Sequence, residues 1–187
     1  MLPSFLDQDA TTVAKKLLGC ELIRELDGQQ IRVRIVETES YDQSDAASHS
    51  YKGRTPRTDI MFGPSGFLYV YFTYGMHYCC NVVTGKEGEG SAVLIRAVEP
   101  IEGAHVLEER RRSSGVEVTN GPAKLCQALG IDKQMNRHNL ANKPLRLVEV
   151  ELLADEKIVT TTRIGIREAK EELRRFYIQD NPYVSKP

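Results

Sequence analysis

The chain has 187 residues, enough for one domain, and 41% of them are hydrophobic, enough to bury a core. Its 25 Lys and Arg against 26 Asp and Glu give a net charge of −1, so no global basic signature marks a nucleic-acid partner and only a local patch could. No stretch is long enough to span a membrane, and Cys20, Cys79, Cys80 and Cys126 match neither a secreted disulfide framework nor zinc or iron–sulfur spacing. The N-terminus lacks a basic segment followed by a long apolar run, so no signal peptide is expected. The expectation is an intracellular, soluble protein with free thiols, no metal and no cofactor.

Residues 8–18 read as a short helix, with Asp7 or Asp9 as cap, Lys15 and Lys16 late, and Gly19 after. Residues 20–26 and 30–41 flank Asp27-Gly28, a hairpin turn signal. Residues 42–66 are rich in Ser, Gly, Pro, Asp and Arg and read as one long loop, a feature that tends to be functional in a compact domain. The aromatic segment 67–81 reads as a second hairpin. A strand is predicted over 92–98, ended by Pro100, then a helix over 101–112. Pro122 starts another helix that Gly130 stops. Residues 145–152 alternate as a strand and 158–166 form a further candidate. There are no internal repeats and no low-complexity linkers. The pattern predicts a single α+β domain over residues 1–187, with an antiparallel sheet built from hairpins.

Three features carry chemistry. Six of the eight Tyr and five Phe lie between Phe67 and Asn81. Tyr69 and Phe72 fit sheet core, but Tyr74 and Met76 flank the turn glycine Gly75, where a tip normally faces water with polar residues. An apolar wedge on a tip suits insertion between stacked bases. In residues 33–41, alternation puts Val33, Ile35, Glu37, Glu39 and Tyr41 on one face, carrying two carboxylates from the core into a partly enclosed region. A catalytic base and a structural ion pair are equally consistent with that pattern, and alternation does not separate Glu37 from Glu39. Residues 51–58 hold Lys52, Arg54 and Arg57 with Thr, Gly and Tyr and no acid, a phosphate-binding chemistry that a solvated loop would also explain. Asp45 and His49 lie between the carboxylate strand and this segment.

Several stretches in order resemble the alkyladenine (3-methyladenine) DNA glycosylases of the mammalian alkyladenine type, which also occur in bacteria. They include Arg-Ile-Val-Glu-Thr-Glu-Ser-Tyr at 34–41, Ala-Ser-His-Ser at 47–50 and Arg-Thr-Pro-Arg at 54–57. Gly-Phe-Leu-Tyr-Val-Tyr at 66–71, Tyr-Gly-Met at 74–76, Leu-Ile-Arg-Ala-Val-Glu-Pro at 94–100 and Gly-Pro-Ala-Lys-Leu-Cys-Gln-Ala-Leu at 121–129 follow. The resemblance implies a curved antiparallel sheet with a protruding hairpin and surrounding helices. It implies a monomeric, monofunctional base-excision-repair enzyme that flips an alkylated or deaminated purine out of double-stranded DNA and hydrolyses its bond to the sugar. It further implies a cytoplasmic, nucleoid-associated location.

Residue by residue, the resemblance gives Glu39 as the general base and Arg96 as the group that orients the water, with a main-chain carbonyl near Ile164 assisting. It implies Tyr41, His49 and Tyr71 around the flipped base and Asn81 against the 2-amino group of guanine. It matches Tyr74 to the side chain inserted into the vacated space; the apolar tip adds Met76 as a further DNA contact, and the residue types of the basic loop add Arg54 and Arg57 as phosphate contacts. The chain departs at His77, where an aromatic is common, and in a loop before His49 that is one residue shorter than in the mammalian enzymes. A single-stranded nucleic-acid binder would use the tyrosines and arginines but not Glu39 beside them. A nucleotide phosphoesterase would need metal ligands that Asp45, His49 and Asp59 do not convincingly supply.

Overall fold

Asp9 starts the first helix, α1 (Ala10–Leu17), by accepting a hydrogen bond from the Thr12 amide at 3.0 Å. This satisfies one of the amides that every helix start leaves unpaired, a contribution of about 1 kcal/mol. Lys15 and Lys16 occupy the last turn, where positive charge is favoured, and Val13, Ala14 and Leu17 form the buried side. The computed structural model describes residues 1–186. After α1 come β1 (Glu21–Leu26) and β2 (Gln29–Tyr41), joined by Asp27 and Gly28, both at positive φ as a two-residue hairpin turn needs. Then follow β3 (Leu68–Thr73), β4 (His77–Val83), β5 (Ala92–Glu102), α2 (Ala104–Arg111) and α3 (Pro122–Leu129). β6 (Leu145–Val148), β7 (Ile158–Thr161) and β8 (Arg175–Ile178) complete the elements.

All strand pairs are antiparallel, in the order β3-β4-β5-β2-β1-β6. β1 stays with β2 only as far as Arg34. β8 takes up the edge that β1 leaves, pairing with Glu37 to Glu39, and β7 pairs with β8. The result is the predicted α+β domain with one curled antiparallel sheet. α1 packs on β2, while α3 packs on β4 and β5. Alternation in β3 and β4 sorts the aromatic segment: Leu68, Val70, Cys80 and Val82 enter the main core, whereas Tyr69 and Val83 join a second cluster with Ile60, Met61 and Phe62 from the long loop. That loop therefore covers the sheet face opposite the helices, and its only regular turn is a short 3₁₀ segment at Asp59–Phe62.

The structure departs from several expectations. β5 does not end at Pro100 but runs to Glu102; Pro100 faces Val33 beside a register shift, where a missing N–H is tolerated. The next helix therefore waits for Gly103, whose φ of 76° breaks the strand. β6 stops at Val148 and β7 at Thr161, and the strand β8 lies in a tail whose polarity concealed it. Phe72 is not core: it is 52% exposed on the outer side of the hairpin, where its ring lies 5.1 Å from Tyr78.

Candidate active site

Two register shifts decide which way the carboxylates face. β2 and β5 pair Ile35 with Val98 and Glu37 with Ala97, which leaves Val36 as the extra residue on β2. Thr38 then pairs with Ile95, which leaves Arg96 as the extra residue on β5. Such bulges break strict alternation and re-aim side chains. Val33, Ile35 and Val36 lie in the core. Thr38 donates to the Ala14 carbonyl of α1 at 2.9 Å, and the Ser40 and Thr11 hydroxyls are 3.1 Å apart. Glu37 and Glu39 turn the other way, fully buried. The single face from Val33 to Tyr41 expected from alternation is therefore interrupted between Ile35 and Thr38, and the same irregularity delivers Arg96 to both acids.

The surroundings separate the two carboxylates. Glu37 Oε1 accepts from Arg96 Nε at 3.0 Å, Arg175 Nη1 at 2.9 Å and the Ser185 hydroxyl at 2.9 Å, while Oε2 accepts from the Ser185 amide at 2.7 Å. Glu39 Oε1 accepts from the Ile164 amide at 2.9 Å and lies 3.1 Å from Arg96 Nη1, and its Oε2 accepts from the Tyr41 hydroxyl at 2.6 Å. Of the two, Glu39 forms part of the wall of a cavity of about 510 Å³. Glu37 is enclosed by its partners. Burial opposes the charge on Arg96, but the Glu39 and Glu37 carboxylates outweigh it and hold its pKa above the usual value. Burial, reinforced by Glu39, raises the Tyr41 phenol, which stays a hydrogen-bond donor at neutral pH.

Aromatic rings line the rest of the cavity. His49 Nδ1 lies 2.9 Å from the Tyr69 hydroxyl, and its ring meets Tyr71 edge-on at 4.6 Å. One side of His49 is open to solvent, but the crowding of its ring, then the charge of Arg57, pushes its pKa down to about 4, so it is neutral at pH 7. Tyr71 sits beside Tyr69 at 5.5 Å and is raised in pKa by burial. Asn81, opposite Tyr69 in the β3–β4 register, is buried and donates from Nδ2 to the Tyr69 carbonyl at 3.1 Å. Cys79 also faces the cavity; burial raises its thiol to about 11, which keeps it un-ionised and poorly nucleophilic. A volume in the range of roughly 300–1,000 Å³ and a wall of aromatics with few polar groups suit a small, flat ligand.

At the rim, Tyr74 and Gly75 form the two central positions of a tight turn, at φ of 51° and 69°, with the Met76 amide bonded to the Thr73 carbonyl at 3.3 Å. Positive φ at the first of these positions favours Asn or Gly there. A tyrosine there is strained, and it is 82% exposed, as Met76 is at 69%. The ring is thus left free at the rim of the cavity.

The basic loop divides. Arg57 stands over the Tyr71 ring at 5.6 Å, beside the cavity. Arg54 lies over Phe62 and 3.6 Å from Asp59, an acid just beyond the segment that looked free of acids; Asp59 also pairs with Arg137 at 2.9 Å. Arg54 therefore sits at a second, separate cleft and its charge is partly offset.

The supports of the site come from distant parts of the chain. Arg163 and Asp45 form an ion pair with no exposed side-chain surface. Arg163 also donates to the Ser40 carbonyl at 3.1 Å and lies 4.7 Å from the Tyr41 ring. The pair ties the loop before His49 to the segment that presents the Ile164 amide. Arg175 and Ser185 hold Glu37. Nothing in local spacing signals these contacts, since each spans more than a hundred residues.

A family model described as methylpurine-DNA glycosylase matches residues 4–182. A Carboxydothermus hydrogenoformans protein named "Putative 3-methyladenine DNA glycosylase" is 51% identical, covering 100% of this chain and 99% of its own. Proteins of the same name from Desulfitobacterium hafniense (97% of this chain, 96% of the relative) and Legionella pneumophila strain Paris (100% and 98%) are each 47% identical. Glu39 beneath an aromatic cavity, an exposed ring at its rim, and a match over nearly the whole length agree: the chain belongs to the methylpurine-DNA glycosylase family, hydrolases of the N-glycosidic bond between base and sugar.

Proposed function

We propose that this enzyme removes alkylated or deaminated purines, the class of 3-methyladenine, hypoxanthine and ethenoadenine, from duplex DNA and leaves an abasic site, acting as a monomer where the chromosome lies. The observation that carries the reading is Glu39: a buried carboxylate that opens on an aromatic cavity and is held by three donors from three separate segments.

The damaged nucleotide rotates out of the helix, at a cost of a few kcal/mol that is smallest at a damaged pair. Tyr74, supported by Met76, fills the space left in the stack. The base lies among Tyr41, His49 and Tyr71, and stacking on such rings contributes about 1–3 kcal/mol per base. Arg57 stands beside the cavity to meet a flanking phosphate; the pairing of Arg54 with Asp59 gives it the lesser part. Neutral His49 suits an uncharged purine edge and adds no positive charge against an alkylated, cationic base.

A water at C1′, oriented by Arg96 and the main chain at Ile164, gives its proton to Glu39 as its oxygen bonds to C1′. The electrons of the C1′–N bond leave with the base. A cationic methylated base departs neutral and needs no added proton. The carboxylate also opposes the positive charge that develops on the sugar, as in sugar hydrolysis. Asn81 holds a rigid position through Tyr69 and crowds the 2-amino group of guanine, so normal guanine is excluded sterically.

The test is incubation with EDTA and duplexes holding each of the three lesions. Release of the free base with an intact strand carrying an abasic site supports the reading. No release from any of the three overturns it.

A further inference from the structure

Arg96 meets Glu39 through only one of its three guanidinium nitrogens. The other two are occupied elsewhere: Nε donates to Glu37 Oε1 at 3.0 Å and Nη2 to Ser185 Oγ at 3.4 Å. Ser185 in turn donates both its amide and its hydroxyl proton to Glu37. Arg175 Nη1 donates to Glu37 Oε1 at 2.9 Å and to the Lys186 carbonyl at 2.6 Å. Its Nε donates to the Thr162 carbonyl at 3.0 Å, two residues before the amide that holds Glu39. One buried carboxylate therefore joins β5, the 162–164 segment and the 185–186 strap. A buried ionic cluster contributes little net stability compared with an apolar one of equal volume, so its advantage here is geometric.

We propose that Glu37, Arg175 and Ser185 are positioning residues, which fix the plane of Arg96 and the 162–164 main chain so that both converge on Glu39. The inference rests on the glycosylase reading above. Ser185 is its sharpest probe, because a hydroxyl that donates to Glu37 and accepts from Arg96 sets the angle between them. Ser185→Ala removes that hydroxyl and keeps the backbone amide bond.

The experiment is single-turnover excision from a hypoxanthine duplex, with affinity for a duplex holding a stable abasic analogue measured in parallel. For Ser185→Ala the excision rate is expected to fall roughly tenfold to a hundredfold while affinity changes by less than about twofold, and Ser185→Thr restores the rate. Arg175→Lys, which keeps charge but loses the fork, should repeat the loss of rate at retained affinity. A wild-type rate for Ser185→Ala overturns the proposal, as does a rate loss matched by lost affinity or left unrecovered by threonine. A wild-type enzyme that releases no base would instead refute the glycosylase reading itself.

Discussion

Asp45→Ala is the most informative perturbation of the scaffold around the site. Asp45 and Arg163 are both without exposed side-chain surface, and Arg163 Nη2 donates to Asp45 Oδ1 at 3.0 Å beside a second, closer contact. Removing the aspartate leaves a buried guanidinium whose remaining partners are the Ser40 carbonyl, a long contact to the Ala169 carbonyl and the Tyr41 ring. An uncompensated buried charge of this kind costs about 3–5 kcal/mol. For a chain of this length, about 2–4 °C of melting temperature accompanies each kcal/mol, so a drop of roughly 6–20 °C is expected by thermal circular dichroism. Asp45→Leu combined with Arg163→Met should recover most of that loss, because an apolar pair of similar volume replaces the ionic one. Excision should remain impaired in the double variant, since the Ser40 carbonyl and Tyr41 ring lose their cation and the Ile164 amide loses its anchor. A drop of less than about 2 °C for Asp45→Ala would refute the claim that this pair is buried and mutually dependent.

Other outcomes follow from the same geometry. Tyr74→Asn relieves a positive-φ aromatic, so melting temperature should rise by about 2–4 °C for roughly 1 kcal/mol gained, while affinity for an abasic duplex falls. A lower melting temperature, or unchanged affinity, would count against the strained wedge. His49 should titrate near pH 4 by NMR, well below its ordinary value of 6.5. Because the unfolded chain then binds the extra proton, the stability this imidazole contributes is complete above about pH 6.5 and is lost as pH falls toward 4; a midpoint near 6.5 would show that the ring is not crowded as described. Asn81→Ala removes the side chain held by the Tyr69 carbonyl and should permit slow release of normal guanine; no release above the wild-type level would remove the case for steric gatekeeping.

What the sequence disclosed depended on how local the signal was. Pro122 and Gly130 bound α3 at its two ends because each acts through its own backbone, one by a fixed φ at the first turn and one at φ of 62° past the last. Tyr74-Gly75-Met76 was legible as an unusual tip for the same reason. Alternation, by contrast, assumes an unbroken ladder. The bulges at Val36 and Arg96 depend on pairing across about sixty residues, and they decide that Glu37 and Glu39 leave the core side. The choice between the two acids was closed to the sequence because it rests on Ser185 and Arg175 enclosing one of them. Phe72 looked like core because an aromatic in a strand usually is; at the outer face of a projecting hairpin there is no layer to cover it.

The central claim is that Glu39, and not its neighbour Glu37, takes the proton of the attacking water. Single-turnover excision by Glu39→Gln, an isosteric change that removes the base, tests it most directly, with abasic-duplex affinity as the control for folding and binding. The account predicts a rate lower by about 10²–10⁴-fold at unchanged affinity. Excision at the wild-type rate by Glu39→Gln would contradict it.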